Sequence, residues 1–139
     1  MDTDIIIPIY NAFDFTKKCI ETVIEHTDLT KHTLLLINDK STDQRILPLL
    51  NLFTTEYPSL IINNESNQGF VRTVNIGMQH SSRDVVLLNS DTEVTKNWLP
   101  KIQKCAYSKA AIATVTPLSN NATLASVPDF MSENTIPSD

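Results

Sequence analysis

Polar residues follow three apolar segments of the chain, at the points where those segments end. The set comprises Tyr10-Asn11 after IIIPI, Asn38-Asp39 after TLLLI and Asn89-Ser90-Asp91 after VVLL. If the segments are parallel strands, their carboxyl ends lie at the sheet edge where ligands bind in open α/β sheets. Helix capping is the competing explanation, with Asn11 or Asp14 capping the first helix and Ser41 the second.

Asp91 is the residue for which capping explains least, because the next helix is predicted to begin near Asn97. With Asn89 and Ser90 it offers the hard oxygen ligands that Mg²⁺ or Mn²⁺ accepts while keeping several waters. The chain has only two glycines, so it lacks both the P-loop and the GxGxxG turn that wrap phosphate. We therefore expect a divalent metal, held by Asp91, to neutralise any bound phosphate.

Apolar runs alternate with amphipathic segments along the chain. The runs predict strands at 5–9, 33–38, 60–63, 85–89 and 112–115. Helices are predicted at 13–26, at 69–80, at 97–108 and after a capping box at 41–44. Continuous apolar strands alternating with helices indicate a doubly wound α/β fold, in which a mostly parallel sheet has helices on both faces.

Composition excludes several classes of protein. The chain has 139 residues and a net charge of −5 without a basic run, which argues against nucleic acid as the main partner. It has no apolar run of the ~20 residues that a transmembrane helix needs. Asp2 and Asp4 stand where a signal peptide carries positive charge, which favours a cytoplasmic location.

Cysteine and histidine give no sign of chemistry of their own. Cys19 and Cys105 lie far apart in helix-like segments and are predicted to be reduced core residues. No histidine has a partner at helical spacing, so His26, His32 and His80 are interpreted as structural or surface residues. The chain becomes polar after about Thr116, which predicts an α/β domain at 1–117. Residues 118–139 would form a loop over the sheet or the start of an incomplete region.

Four motifs together resemble the successive signatures of family 2 glycosyltransferases, which have the Rossmann-like GT-A fold. They are PIYN at 8–11, INDKSTD at 37–43, NQGFVRTVNIGM at 67–78 and LLNSDTEV at 87–94. The resemblance covers roughly residues 4–117, and the later SNNATLASVPDF is similar to the continuation in bacterial relatives that build surface polysaccharides. Residues 1–117 would then bind a nucleotide-sugar, and 118–139 would begin an acceptor region.

The resemblance also implies roles for particular residues. Pro8, Tyr10 and Asn11 would line the nucleotide pocket, with Tyr10 near the base. Asp39 would accept a hydrogen bond from the ring N–H of uracil or thymine. Gly69 would let the backbone approach the nucleotide closely, and Phe70 would pack behind it. Asn75 would support the site. Asn89-Ser90-Asp91 would form a DxD-like motif with Asp91 as the metal ligand. Asn89 replaces the first acid of that motif and brings no charge, which would weaken the metal site.

The implied reaction is inverting transfer of a sugar from a UDP- or dTDP-sugar to an acceptor hydroxyl, with Mg²⁺ or Mn²⁺ as cofactor. The acceptor would be a saccharide or a lipid-linked saccharide, met in the cytoplasm or at the inner face of the membrane. The family's catalytic base is expected beyond Asp139, and neither Asp129 nor Glu133 is assigned that role. The isolated chain is thus expected to be an inactive donor-binding part of a larger enzyme.

Two other functions fit an α/β fold with acidic strand ends. A sugar-nucleotide nucleotidyltransferase needs a glycine-rich loop with Arg or Lys after the first strand, which PIYNAFDF does not provide. A non-catalytic, receiver-like or nucleotide-binding module would use Asp39 or Asp91 as a switch. A receiver needs paired acids after the first strand and a lysine after the last, and Tyr10-Asn11 and Thr116-Pro117 supply neither.

Overall fold

The computed structural model describes residues 2–117, which contain four strands and four helices. In chain order they are β1 (Thr3–Ile9), α1 (Phe13–His26), β2 (Thr33–Asn38), α2 (Ile46–Glu56), β3 (Ser59–Asn63), α3 (Phe70–Gln79), β4 (Asp84–Leu87) and α4 (Trp98–Ala106). The alternation predicted from the apolar runs is confirmed for these eight elements. Their ends differ from the predicted ones by a few residues, as is usual for element boundaries.

The four strands form one sheet with the order β3-β2-β1-β4, and every neighbouring pair is parallel. β1 and β2 are central, and their registered pairs Ile5↔Leu34 and Ile6↔Leu35 point to opposite faces of the sheet. All four of these side chains are buried. Apolar residues therefore run continuously along both central strands, because both faces of the sheet are covered.

The strand order places the helices on both faces. The chain moves from β1 to β2 to β3 in one direction and then returns past β1 to β4. Since parallel crossovers are right-handed, α1 and α2 lie on one face and α3 on the other. A Cβ atom added at Gly77 of α3 would lie 2.7 Å from Ile6 Cγ2, which shows how closely α3 packs against β1. The doubly wound α/β prediction is confirmed.

The reversal of direction creates a topological switch point between β1 and β4. The helix that follows β1 (α1) and the helix that precedes β4 (α3) lie on opposite faces, and ligands bind at such a point in open α/β sheets. Tyr10 lies just after β1, and Asn89 lies two residues after the end of β4. Leu88 still donates its N–H to the Ile6 carbonyl, which keeps the start of the loop after β4 in place beside β1.

Two predicted local structures are wrong. Residues 112–117 contain no strand, since a run with β-propensity becomes a strand only when a neighbour pairs with it. The predicted capping box also fails, because α2 begins at Ile46 and no side chain caps it. Ser41 instead accepts a hydrogen bond from the Asn11 N–H at 3.0 Å.

Three predictions about individual side chains can be compared with the structure. Phe15, whose spacing of four and eight residues from Cys19 and Val23 predicts the buried face of α1, is 65% exposed. Cys105 is exposed, whereas Cys19 is buried as predicted, and both thiols are free. His32 is buried and accepts a hydrogen bond from the Thr3 N–H at 3.1 Å, which confirms a structural role for that histidine.

The chain divides into two compact units, residues 1–96 and residues 97–139. The first contains the sheet with α1, α2 and α3. The second contains α4, whose buried residue is Leu99. The predicted segment 118–139 lies outside the described residues, so the boundary at 117 stays a prediction. Among residues 2–117 no helix is both long and apolar enough to cross a membrane.

Candidate functional site

A cleft of about 630 Å³ opens at the carboxyl ends of β1, β2 and β4, at the switch point of the sheet. Eight of the nine residues predicted to form the nucleotide site line it, and they are Pro8, Tyr10, Asp39, Gly69, Phe70, Asn89, Ser90 and Asp91. Ile9, Ala12, Asn67 and Thr73 complete the lining. The polar strand ends therefore converge as the sequence predicts, and all of them belong to the unit formed by residues 1–96.

Asp39 is the most constrained polar residue of the cleft. It follows β2 directly, and its residue surface is only 4% exposed. Its Oδ1 accepts hydrogen bonds from Asn64 Nδ2 and the Gln68 N–H, both at 2.7 Å. Its Oδ2 accepts one from the Gly69 N–H at 2.9 Å. The carboxylate thus holds the chain at the entrance to α3, where no side chain of the helix itself acts as a cap.

The pKa of Asp39 reflects this environment. Burial raises the pKa, but the donors around the carboxylate outweigh burial, and the pKa lies below its ordinary value. In decreasing order of effect the donors are the Gln68 N–H, the Asn64 amide, the Thr73 hydroxyl and the Gly69 N–H. Asp39 is therefore ionised at neutral pH, and an ionised carboxylate only accepts hydrogen bonds.

Asn64 and Thr73 were not identified from the sequence, although both are buried beside Asp39. Asn64 Nδ2 also donates to Thr73 Oγ1 at 3.1 Å. Asn64 follows β3 directly, so the signal that identified Asp39, a polar residue immediately after an apolar strand, was also present there. Thr73 gives a weaker signal, since a threonine on the buried side of α3 is common in ordinary helices.

The Tyr10 to Ala12 turn forms one wall of the cleft. Asn11 and Ala12 have φ values of 58° and 51°, in the left-handed region that residues with a side chain seldom adopt. Asn11 Oδ1 accepts hydrogen bonds from the N–H groups of Thr42 and Asp43 at 2.8 and 2.9 Å. These bonds tie the loop after β1 to the loop after β2 and hold the strained turn in place.

Asn11 is accordingly the one predicted site residue that does not line the cleft. Its amide oxygen accepts hydrogen bonds from backbone N–H groups, and its contact with a nucleotide stays a prediction. Capping does not explain Asn11, because no side chain caps α1 or α2. It joins two loops, a role that spacing along the sequence does not reveal.

Gly69 is required by its backbone conformation. Its φ of 75° and ψ of 165° fall in a region open essentially only to glycine. A Cβ atom there would meet nothing within 4 Å, so the constraint is torsional rather than one of space. The conformation turns the Gly69 N–H toward Asp39. Phe70 is 57% exposed and lines the cleft, and its packing behind Gly69 stays a prediction.

The loop after β4 is held by a hydrogen bond from α1. The Thr92 N–H donates to the Asn89 carbonyl at 3.1 Å and closes a turn around Ser90 and Asp91. The Cys19 thiol donates to the same carbonyl at 3.5 Å, and burial raises the pKa of this thiol to about 12. Cys19 is therefore a protonated packing residue, and the Asp91 carboxylate above the turn remains exposed.

The donor set around Asp91 fits one kind of metal site. Residues 2–117 contain no cluster of three His, Cys, Asp or Glu residues that would hold an ion by themselves. Asn89, Ser90 and Asp91 nevertheless offer one carboxylate and several neutral oxygens at the cleft surface. Mg²⁺ is commonly held by one or two carboxylates together with waters and ligand phosphates. The residues fit a cation shared with a bound phosphate.

The charges of the cleft lining support the same conclusion. Among the residues of 2–117 that line the cleft, Asp39 and Asp91 are the charged ones, and none is lysine or arginine. A diphosphate in this cleft would meet two negative side chains without a compensating positive one. A cation bound together with such a ligand would offset this negative charge.

Comparison with known proteins gives a consistent assignment. Residues 4–128 match the model of the family described as "Glycosyl transferase family 2". The uncharacterized glycosyltransferase YibD of Escherichia coli (strain K12) is 31% identical over 91 residues, covering 65% of this chain and 26% of that protein. An uncharacterized glycosyltransferase of Haemophilus influenzae is 28% identical over 99 residues, covering 70% of this chain and 30% of its own length. The chain therefore spans less than a third of these relatives.

Solved structures with the same arrangement include TarS 1-349 of S. aureus in complex with UDP-GlcNAc. Its TM-score is 0.67 at 20% identity, covering 74% of this chain and 30% of that one. Mannosyltransferase PcManGT from Pyrobaculum calidifontis, in complex with GDP-Man and Mn²⁺, has a TM-score of 0.67 at 17% identity. The match covers 73% of this chain and 31% of that one. GalNAc-T7 with UDP, GalNAc and Mn²⁺ has a TM-score of 0.64 at 19% identity. The match covers 71% of this chain and 20% of that one.

These likenesses establish the GT-A fold for the described sheet and helices. The family match, which extends over most of the 139 residues, agrees with the four motifs found in the sequence. Fold, motif order and relatives all lead to the same assignment, and the chain belongs to family 2 of the glycosyl transferases.

Proposed function

We propose that this chain is the donor-binding part of an inverting glycosyltransferase that uses a UDP- or dTDP-sugar. The observation that carries the proposal is the meeting of Asp39 and the Asn89-Ser90-Asp91 loop in one cleft at the switch point of the sheet. Asp39 supplies an acceptor for a base, and Asp91 supplies a ligand for a cation on the diphosphate. Tyr10, 48% exposed, provides an aromatic surface beside them.

The hydrogen bonds of Asp39 favour a pyrimidine with a single ring donor. Oδ1 accepts hydrogen bonds from the Asn64 amide and the Gln68 N–H, and Oδ2 accepts one from the Gly69 N–H. The Thr73 hydroxyl also donates to this carboxylate. Uracil and thymine present one N–H between two carbonyl groups, which needs one acceptor position. Guanine presents two adjacent donors, which bind a carboxylate best when both oxygens are open. The ring nitrogen of cytosine is itself an acceptor and would face the carboxylate unfavourably.

The divalent cation, Mg²⁺ or Mn²⁺, would be held by Asp91 together with the diphosphate. When bound, it offsets charge on the diphosphate leaving group. Asn89 and Ser90 would add neutral oxygen contacts to the cation or the ribose. The structures of PcManGT and GalNAc-T7 were determined with Mn²⁺, which supports a divalent cation in a cleft of this fold.

The remaining parts of the reaction belong to the whole protein. The acceptor would be a saccharide or a lipid-linked saccharide, in the cytoplasm or at the inner face of the membrane. A base outside this chain would take the proton from the acceptor hydroxyl. The relatives are more than three times as long as the matched segment, which leaves room for such a region. The isolated chain would bind donor without transferring its sugar.

Calorimetric titration of the 139-residue chain tests this proposal. UDP and dTDP should bind more tightly than ADP, CDP or GDP in the presence of Mn²⁺. EDTA should weaken the binding of UDP by about tenfold or more, which is about 1.4 kcal/mol per decade. Equal affinity for all five nucleotides would remove Asp39 from base recognition. Undiminished UDP binding in EDTA would remove the metal from the proposal.

A further inference from the structure

We propose that Asn64 is a positioning residue that sets base selectivity by fixing which oxygen of Asp39 is available to the nucleotide. This inference rests on the proposed function, because it assumes that a base binds at Asp39. Asn64 itself is not among the residues that line the cleft, so it would act through Asp39 rather than touch the ligand.

Asn64 is held in place from both of its ends. Its backbone N–H donates to the Asn38 carbonyl at 2.9 Å, which continues the pairing of β3 with β2 by one residue. Its Nδ2 donates to Asp39 Oδ1 at 2.7 Å and to Thr73 Oγ1 at 3.1 Å, so both hydrogens of the amide group are used. Asn64 is 8% exposed and Thr73 is fully buried.

This arrangement fixes the rotation of the Asp39 carboxylate. The amide of Asn64 and the N–H of Gln68 both reach Oδ1, and the Gly69 N–H reaches Oδ2. The Thr73 hydroxyl also donates to this carboxylate. Without Asn64 the two oxygens would differ less, and the carboxylate could turn to offer either one or both. A site with two available oxygens would lose its preference for a base with a single ring donor.

Neutral hydrogen-bond donors therefore determine the orientation of the Asp39 carboxylate. No salt bridge within residues 2–117 involves it, although Lys40 is next in the chain. Lys40 is exposed and lines a separate cavity at the ends of β2 and β3. Asp4 of β1 lies at the other end of the sheet and pairs with Arg83 at 3.5 Å. A neutral amide in this position orients the carboxylate without cancelling its charge, which leaves that charge available to the base.

The test compares Asn64→Ala with Asn63→Ala, a matched control at the preceding residue. Asn63 also carries an amide at the end of β3, but it accepts a hydrogen bond from Asn38 Nδ2 instead of contacting Asp39. UDP and GDP are titrated into each protein with Mn²⁺, because guanine presents two adjacent donors and gains most from a second available oxygen. Asn64→Ala should lower the ratio of UDP to GDP affinity by about tenfold, whereas Asn63→Ala should leave this ratio unchanged.

A purely structural role for Asn64 would weaken both nucleotides equally, so an unchanged ratio in folded Asn64→Ala overturns the inference. If Asn64→Ala does not fold, Asn64→Leu decides, because it removes both amide donors and approximately keeps the volume of the side chain. The ratio should fall in Asn64→Leu, and an unchanged ratio there counts against the inference. Failure of the proposed function is distinguishable, since the unmodified chain would then show no preference for UDP.

Discussion

The two acidic residues of the cleft stand in opposite environments. Asp39 is almost completely buried, and both of its oxygens accept hydrogen bonds from the loop that leads into α3. Asp91 is exposed on the loop after β4, and its carboxylate makes no hydrogen bond or salt bridge with other residues of 2–117. Both residues follow apolar strands and line the same cleft, so the sequence pattern does not distinguish them.

The difference indicates what each acid does for the folded chain. Asp39 stabilises the fold by satisfying buried N–H groups, and any recognition of a base is added to that role. Asp91 satisfies nothing within the described part of the chain, so it contributes to stability only when a ligand is present. The comparison predicts that substitutions at Asp39 change stability and binding together, whereas substitutions at Asp91 change binding alone.

The largest effect is expected from Asp39→Asn. The amide nitrogen would face backbone N–H donors, so at least one buried donor loses its acceptor, and unfolding should become easier by roughly 2–4 kcal/mol. UDP affinity should fall as well, because an amide no longer offers an acceptor-only group. Urea denaturation and calorimetry measure the two effects. Unchanged stability in this variant would contradict the role of Asp39 at the start of α3.

Gly69→Ala should have the next largest effect. Alanine at φ 75° and ψ 165° is strained, which costs about 1–3 kcal/mol and shifts the N–H that reaches Asp39 Oδ2. Both stability and UDP affinity should therefore decrease.

Gly77→Ala is the control for this change. Its new methyl group would press on Ile6 within the core, which costs about 1–3 kcal/mol without altering the cleft. If the folded fractions of the two variants bind UDP equally well, Gly69 does not shape the site.

Asp91→Ala should reduce UDP affinity in Mn²⁺ by about tenfold or more. Each factor of ten corresponds to about 1.4 kcal/mol of binding free energy. Its urea midpoint should stay close to that of the unmodified chain, because the substitution removes no side-chain hydrogen bond within residues 2–117. In EDTA the two proteins should bind UDP equally weakly, and a difference that persists there would mean that Asp91 acts without a metal. A large loss of stability would show that Asp91, like Asp39, stabilises the folded chain.

The smallest effect on the free energy of unfolding is expected when the pH is lowered. Acid protonates Asp39 and removes its charge without replacing the side chain. Its folded pKa lies below its unfolded pKa of ~3.9, so the ionised group stabilises the fold above that value. This contribution disappears as the pH falls through the lower folded pKa. The difference in unfolding free energy between the unmodified chain and Asp39→Asn should therefore narrow in that acidic range. A difference that widens in acid would show that the pKa shift has the opposite sign.

Much of the fold was predictable because its signals are local. The isoleucine run of β1 and the leucine run of β2 are buried on both sides, so each is continuous and easily recognised. The run at 112–115 looked similar, but pairing requires a neighbouring strand that composition does not provide. Ser41 illustrates the same limit, since its hydroxyl bonds to Asn11, 30 residues earlier, instead of capping its own helix.

The sequence by itself determined the alternation of strands and helices, the family, and the residues that end near one edge of the sheet, because apolar periodicity and motif order are properties of the linear chain. Only the tertiary structure decided which of those residues face the cleft. It showed Asn11 joining two loops, Gly69 needed for its backbone torsions, and Asn64 and Thr73 surrounding Asp39. These roles arise from hydrogen bonds between segments distant in sequence, and side-chain direction at such contacts is set by packing rather than by spacing.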